Sequence, residues 1–382
     1  MSSVDVAVIG RGLIGSAAAR HLAEGGLSTA LIGPSEPQDR EASAGPFSSH
    51  GDEGRITRIA GRAAVWSGLA ARSIRRYGDL ERRSDLPFHT RRGLVVSMAE
   101  IDDWIDAGLI YGSNIHKISA AEVKTATGLT ITGPHPVAYE GPPAGYINPR
   151  RLVMAQTKLT ELAGGIVVDA SVSAINRVDG AFELQGGFGT TKACRLLLAT
   201  GAFGRGLLDV QLDVQRQPRT ILLAEMGERS TLPSLIMADP PDQRLAEIYW
   251  VPPVRYPDGR TYLKIGGSLR SDPRLPGETD LVEWFHSAGD QVEAKALEVS
   301  LRALLPEAEF TSFVTEPCVI TSTSSGYPYL GWVDEGIAVA IGGNGSAAKS
   351  SDELGRLAAS LFSPDGWTDS LDASVFEPQF VS

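Results

Sequence analysis

"VDVAVIGRGLIGSAAARHLAEGG", residues 4–26, passes from a short β-branched stretch through three glycines into an alanine-rich segment of helical period. "STALIG", residues 28–33, follows as a second apolar strand, so the whole reads as a βαβ unit. Gly10, Gly12 and Gly15 form GxGxxG after a strand and before a helix. The first glycine turns the chain, the second lets a pyrophosphate approach, and the third lets helix and strand pack closely. With Leu13 and Ile14 they are candidate dinucleotide-binding residues, since helix N-terminal amides attract phosphate. The plainer alternative, a glycine-rich turn without a ligand, explains the spacing less well.

A ribose-binding acid is expected about 20 residues on, at the end of the second strand. Gly33 stands there. Glu36 is the substitute candidate, with a solvated loop glutamate as the alternative, and Arg40 is the candidate for an NADP-type reading.

"RLLLATGAFG", residues 195–204, has the continuous apolar character of a buried parallel strand ending in a turn at Thr200 and Gly201. "GIAVAIGGNGSAAKSSDELGRLAASLF", residues 336–362, repeats the order strand, glycine turn, helix. Between these pieces, residues 93–98, 136–147 and 217–225 read as strands of an antiparallel sheet with few helices among them. A helix near 149–163 and a strand pair near 165–177 complete the reading. The expected fold class is α/β with an α+β second domain. A discontinuous Rossmann-like domain (1–85, 145–212 and 318–382) is interleaved with an antiparallel-sheet domain (86–144 and 213–317). No internal repeat or low-complexity linker is visible.

The chain has 382 residues, 42% hydrophobic and 21% charged, with formal net charge −11. That balance argues against nucleic acid as a partner, because phosphate-binding surfaces need clustered Lys and Arg. No stretch approaches the roughly 20 apolar residues of a membrane span, and the N-terminus lacks the pattern of a leader, so a cytoplasmic protein without a membrane partner is expected. Two cysteines, Cys194 and Cys318, exclude a disulfide framework, and the six histidines show no metal-ligand spacing. No metal is expected.

Four further stretches carry a family resemblance. "SSHGDEGRITR" (48–58), "YLKIGG" (262–267), "CVITST" (318–323) and "GGNGSAAKSSDELGRLAA" (342–359) occur in this order, alongside the N-terminal fingerprint and the ATG turn. Together they resemble sarcosine oxidase and its relatives in the D-amino-acid-oxidase-like superfamily of FAD enzymes. Residues 60–190 and 205–245 match only in general character.

The resemblance implies FAD as cofactor, attached covalently through Cys318, with Thr200, Gly201, Gly343, Asn344, Gly345 and Lys349 lining the flavin beside His50 and Arg55. It implies that Arg58 and Lys349 bind the substrate carboxylate with Tyr249 nearby. It further implies that Lys264 activates oxygen and that His50 and Arg55 complete the catalytic set. A planar guanidinium forms two parallel hydrogen bonds with a carboxylate, which suits Arg58 to that task. Asp52 and Glu53 are read as loop acids, Trp250 as core, and Cys194 as an inert core thiol. The cations are expected to converge on one flavin face.

The implied reaction is oxidation by O2 of a secondary amine or amino acid, N-methyl or cyclic, to an imine with hydrogen peroxide, by a monomer. A dehydrogenase using another acceptor stays open, as does a nucleotide-binding module without catalysis. For Arg55 and Arg58 the plainer alternative is a surface ion cluster, and for Lys264 an outward-facing strand lysine.

Overall fold

The protein is described by a computed structural model over residues 3–37, 42–48, 51–207, 210–227 and 232–381. His50 and Arg40 lie outside the described residues.

The βαβ reading is realised as strand Val4–Ile9, helix Leu13–Glu24 and strand Thr29–Ile32. Val4–Ile9 pairs in parallel with Thr29–Ile32 on one side and with Gly189–Leu198 on the other. Ile166–Val168 extends the parallel set beyond Thr29–Ile32, and Ile337–Ile341 extends it beyond Gly189–Leu198. These strands are apolar without alternation because helices cover one face and a meander with further chain covers the other. Val6, Val8, Leu31 and Leu197 are fully buried, and burying each such side chain contributes about 1.5–3 kcal/mol.

Helix Leu13–Glu24 crosses the C-terminal helix Ala347–Ser360 closely. The alanines make this possible: a Cβ on Gly355 would stand 2.5 Å from the Cβ of Ala17. The turns meet equally closely. Gly10 has φ +109°, and a side chain there would run into the Ala199 carbonyl at 2.4 Å. The fingerprint turn and the ATG turn are therefore one packed unit.

Two sequence readings need correction. The strands near 165–177 exist as Ile166–Val168 and Val172–Val178, but they are not a pair: they stand at opposite edges of the same sheet. Val172–Val178 instead forms an antiparallel meander with Ala181–Gly186 and Gly189–Leu198, each joined by a tight turn. Cys194 is not in the core. It is exposed, because along Gly189–Leu198 its neighbour Ala193 takes the inward position.

A second eight-stranded sheet runs Ser312–Thr323, Val214–Glu225, Thr261–Leu269, Leu245–Arg255, Ser234–Ala238, Leu94–Ser97, Val137–Glu140, His116–Ile118. It is antiparallel except at one junction, where Ser234–Ala238 runs parallel to Leu94–Ser97. Helices are more frequent than the sequence reading expected: Ile101–Ile110 and Ala120–Thr127 interrupt the first part, and Glu278–His286 and Gln291–Leu304 the second. Leu297, Leu301 and Leu304 of the last pack on Trp250, Leu263 and Ile265 of this sheet. Strand Ser312–Thr323 runs without a break through the expected border at 317/318. A small third sheet joins Arg55–Thr57, Gly145–Ile147 and His89–Thr90.

Candidate active site

Arg55 and Arg58 leave one short strand in different directions. Arg55 points to Cys318, with Nη2 3.7 Å from Sγ, and pairs with Asp52 at 3.1 Å. Arg58 lies over the face of Trp104 at 4.1 Å and donates to the Ala60 carbonyl. The structure thus gathers the sequence-derived residues into two groups where one was expected.

The first group holds Asp52, Arg55, Lys264, Tyr249 and Cys318. Lys264 comes from the middle of strand Thr261–Leu269 and is 1% exposed, so the outward-facing alternative does not apply. Its Nζ donates to Asp52 and, at 2.7 Å, to the Gly54 carbonyl, and lies 5.8 Å from the Tyr249 ring. Burial and the neighbouring Arg55 push the ammonium down to about 8, although Asp52 pulls the other way. Burial opposes ionisation of Asp52 as well, but Arg55 and Lys264 outweigh it and hold the carboxyl below its usual range. Asp52 is therefore a bridge between two cations and not a solvated loop acid. Its second oxygen, Oδ1, is buried and has no hydrogen-bond partner among the described residues.

Beside this group is a cavity of about 310 Å³ lined by Glu36, Asp52, Arg55, Arg150, Tyr256 and Cys318 among others. Cys318 is 7% exposed and stands opposite Arg219 in the adjacent strand. The two threonines that follow it have a visible structural task. Gly343 N donates to Thr321 Oγ1 at 3.2 Å, Asn344 N to the Thr321 carbonyl at 2.7 Å, and Thr323 N to Asn344 Oδ1 at 3.0 Å. The C-x-x-T-x-T strand is thereby stapled to the turn Gly342–Gly345. Trp250 is in the core, as expected, with Nε1 donating to the Pro233 carbonyl at 2.9 Å.

The second group holds Arg58, Trp104, Glu140, Trp66 and Lys349. Lys349 sits in the first turn of helix Ala347–Ser360. It is 4% exposed, donates to the Ser346 carbonyl at 3.0 Å, and lies 5.5 Å from the Trp66 ring. Burial, with Arg58 adding to it, holds its ammonium well below the ordinary lysine range. Burial likewise lowers Arg58 to about 10, against the opposing pull of Glu140 and Glu247. Glu140 is fully buried and accepts from Ile59 N at 2.9 Å and Ala60 N at 3.2 Å, which anchors the backbone carrying Arg58. Among the described residues, neither Arg58 nor Lys349 has a carboxylate at ion-pair distance.

Helix Ala347–Ser360 is held in place by charge as well as packing. Asp352, fully buried, accepts from Arg20 at 2.7 Å, Gln156 at 2.9 Å and Arg76 at 2.5 Å. The Tyr77 hydroxyl donates to the Lys349 carbonyl at 2.6 Å. These contacts fix where the buried lysine begins its reach.

The fingerprint turn fits a phosphate. Helix Leu13–Glu24 has no acidic residue in its first turn and no side-chain cap, and the space a Cβ would fill on Gly12 is open. Leu13 packs into the core with Ile59 and Ala70, so only its backbone is available to a ligand; the Ile14 side chain packs likewise against buried residues of the sheet. Thr200 and Gly201, with φ +62° at the glycine, line a small cleft at the end of Gly189–Leu198. Glu36 lines the cavity of about 310 Å³ beside Arg55 and accepts from Ser48 N at 3.1 Å. Among the described residues no cluster of three or more metal-ligating side chains occurs, and no helix is long and apolar enough to cross a membrane.

Sequence reasoning missed Trp104, Glu140 and Trp66, whose segments carry no motif. Asp52 was missed in role, though its position three before Arg55 was in view.

The chain matches the FAD dependent oxidoreductase (DAO) family over residues 5–361 and belongs to it. It is 24% identical over 222 residues to monomeric sarcosine oxidase of Bacillus sp. (strain B-0618), a stretch covering 56% of this chain and 55% of that protein. It therefore matches about half the length of that relative. In fold it is similar to NikD, an unusual amino acid oxidase essential for nikkomycin biosynthesis, with TM-score 0.78, 18% identity, and 100% and 99% of the two chains covered. L-proline dehydrogenase from P. horikoshii gives TM-score 0.75 at 15% identity, covering 98% of this chain and 97% of that one. Identities this low establish the fold alone.

Proposed function

We propose that this chain oxidises a secondary amine or amino acid bearing a free carboxylate, N-methyl or cyclic, passing two electrons to O2 and yielding an imine and hydrogen peroxide. The observation that carries the reading is the second group: the buried Lys349 and the partly buried Arg58, with no carboxylate at ion-pair distance among the described residues. An uncompensated buried charge pair is costly, and an anionic ligand removes the cost. A carboxylate between them gains a bidentate contact from Arg58 and a point charge from Lys349. Stacking on Trp104 and the Glu140 anchor hold the guanidinium in one direction.

FAD, when bound, supplies the two-electron acceptor. We assign the fingerprint turn, Thr200, Gly201 and the turn Gly343–Gly345 to holding it, His50 and Arg55 to its vicinity, and Cys318 to a covalent thioether. The two cations also disfavour a protonated amine next to the bound carboxylate, so the substrate enters the reaction uncharged and no separate strong base is needed. We assign Tyr249, on strand Leu245–Arg255, to the substrate pocket. Lys264, held by Asp52 and the Gly54 carbonyl, offers an ammonium that stabilises negative charge developing on oxygen. Overall the amine loses two electrons and two protons, O2 gains them, and water hydrolyses the imine. The assignment of 1–85, 145–212 and 318–382 to a FAD-binding domain, and of 86–144 and 213–317 to a substrate-binding domain, is part of the proposal. So is a cytoplasmic monomer, supported by a net charge of −11 that disfavours anionic membrane and nucleic-acid surfaces.

Comparing an N-methyl or cyclic amino acid with its decarboxylated amine tests the reading. A preference of several hundredfold in kcat/KM for the acid is expected, and equal values remove the carboxylate site. For the tether, acid precipitation gives a yellow pellet if Cys318 bonds the flavin and a yellow supernatant if it does not.

A second reading, electron delivery to an acceptor other than O2, is favoured by one observation: Asp52 neutralises much of the charge Lys264 offers to oxygen. Stopped-flow mixing of reduced protein with dissolved O2 separates the two, since sluggish reoxidation supports the dehydrogenase.

A further inference from the structure

The end of strand Thr29–Ile32 carries no acid, and the structure gives the reason. Arg11, the residue between the first two fingerprint glycines, is folded against Gly33: a Cβ on Gly33 would stand 2.5 Å from Arg11 N and 2.9 Å from Arg11 Cβ. No side chain fits. One strand over, Ile166–Val168 runs parallel to Thr29–Ile32 with Val168 opposite Ile32, and Gly33 N donates to the Val168 carbonyl at 3.0 Å. The next residue, Asp169, thus occupies the rung of Gly33 displaced by one strand, at the same C-terminal edge of the parallel sheet.

Asp169 is built into this edge. Its Oδ1 accepts from Ser35 N at 2.6 Å, and its Oδ2 accepts from Ser35 Oγ and pairs with Arg11 Nη2 at 3.1 Å. Arg11 also donates to Ser35 Oγ, which closes a triangle of three residues from three segments. Burial works against the ionised form, but Ser35 and Arg11 outweigh it and keep the carboxyl below its usual range. The side chain of Asp169 is 56% exposed while that of Arg11 is 13% exposed, so the carboxylate has both a fixed direction and an open side. A carboxylate accepts about four hydrogen bonds, and three donors are supplied by the protein.

In a βαβ dinucleotide unit the ribose hydroxyls are held by an acid at the end of the second strand, in the crevice outside the carboxyl ends of the strands. We propose that in this chain Asp169, aimed by Arg11 and Ser35, makes that contact to the ribose hydroxyls of the adenosine half of FAD, in place of the residue at Gly33 and in place of Glu36. The inference rests on the assignment of the fingerprint turn to FAD. It identifies the adenosine-binding residue within that assignment.

The test uses the full chain with Cys318→Ser, so that flavin can exchange, stripped of cofactor and titrated with FAD and with FMN while flavin fluorescence is followed. FMN lacks the adenosine. Asp169→Ala is expected to weaken FAD binding about 10- to 100-fold, the range for losing hydrogen bonds to a charged group, and to leave FMN binding at the parental value. Asp169→Asn preserves shape, and if the alanine variant does not fold it must show the same selective loss. Unchanged FAD affinity overturns the proposal. Equal losses for FAD and FMN overturn it too, because they report a structural role for the Arg11–Ser35–Asp169 triangle. A parent that binds neither flavin would remove the cofactor assignment itself, and this inference with it.

Discussion

The two cation groups treat charge in opposite ways. Around Lys264 the positive charge is compensated inside the protein: the partly buried Asp52 pairs with both the buried Lys264 and the partly buried Arg55. Around Lys349 no carboxylate stands at ion-pair distance among the described residues, and the nearby Glu140 accepts from the backbone amides of Ile59 and Ala60. A compensated cluster is stable by itself and needs no ligand. An uncompensated one is a standing demand for an anion; burial lowers the proton affinities of both Lys349 and Arg58, and for Lys349 the neighbouring Arg58 adds to it. On the proposed function, the contrast gives binding to one group and modulation of charge to the other.

Removing Arg58 attacks the contrast most directly. Arg58→Ala is expected to lower kcat/KM for a carboxylate substrate about 10²- to 10³-fold while the decarboxylated amine changes little. If steady-state kinetics show both falling equally, the uncompensated group is not an anion site. Next in size, Lys264→Met is expected to slow reoxidation by O2 about 10²-fold with anaerobic reduction by substrate intact. Parental reoxidation in the stopped flow would leave the compensated group without a part in oxygen chemistry.

Asp52→Asn sharpens the comparison through pH. The Lys264 ammonium is depressed to about 8, so a step that requires it is fast below that pH and declines above it. Asp52 supports the charged form, and its loss moves the decline to lower pH by about one unit, which amounts to roughly fivefold at pH 8. A reoxidation profile superimposable on that of the parent would show that Asp52 does not govern the lysine. The smallest effect concerns Lys349. Its proton affinity is depressed without a ligand, and a carboxylate beside it raises that affinity, so binding a carboxylate inhibitor should take up a fraction of a proton at neutral or alkaline pH. Calorimetric titrations in buffers of different ionisation enthalpy measure this, and identical heats would count against it.

Much of the fold was legible because it is written in local pattern. Gly10, Gly12 and Gly15 in strand-turn-helix context, the apolar run ending at Gly201, and the repeat of that order near Lys349 each announce a piece of a layered parallel sheet. Pairing partners were not legible. Ile166–Val168 and Val172–Val178 are neighbours in the chain, but nothing in either says that they will stand at opposite sheet edges, since that depends on which strand ends are already taken. Nor does the sequence say that Cys194 faces outward, because strand parity is set by which neighbour finds the core.

The chemistry divides in the same way. By itself the sequence determined the residue types and their local settings: a glycine turn open to phosphate, a guanidinium at position 58, a lysine at a helix start, an alternating strand that turns Lys264 to one face. Only the tertiary structure decided that Arg55 and Arg58 part company, that Asp52 bridges two cations, and that Asp169 stands beside Gly33 across 136 positions of chain. The reason is that propensity and periodicity act over a few residues, whereas electrostatic compensation depends on distances between segments, which exist only once the sheets have closed.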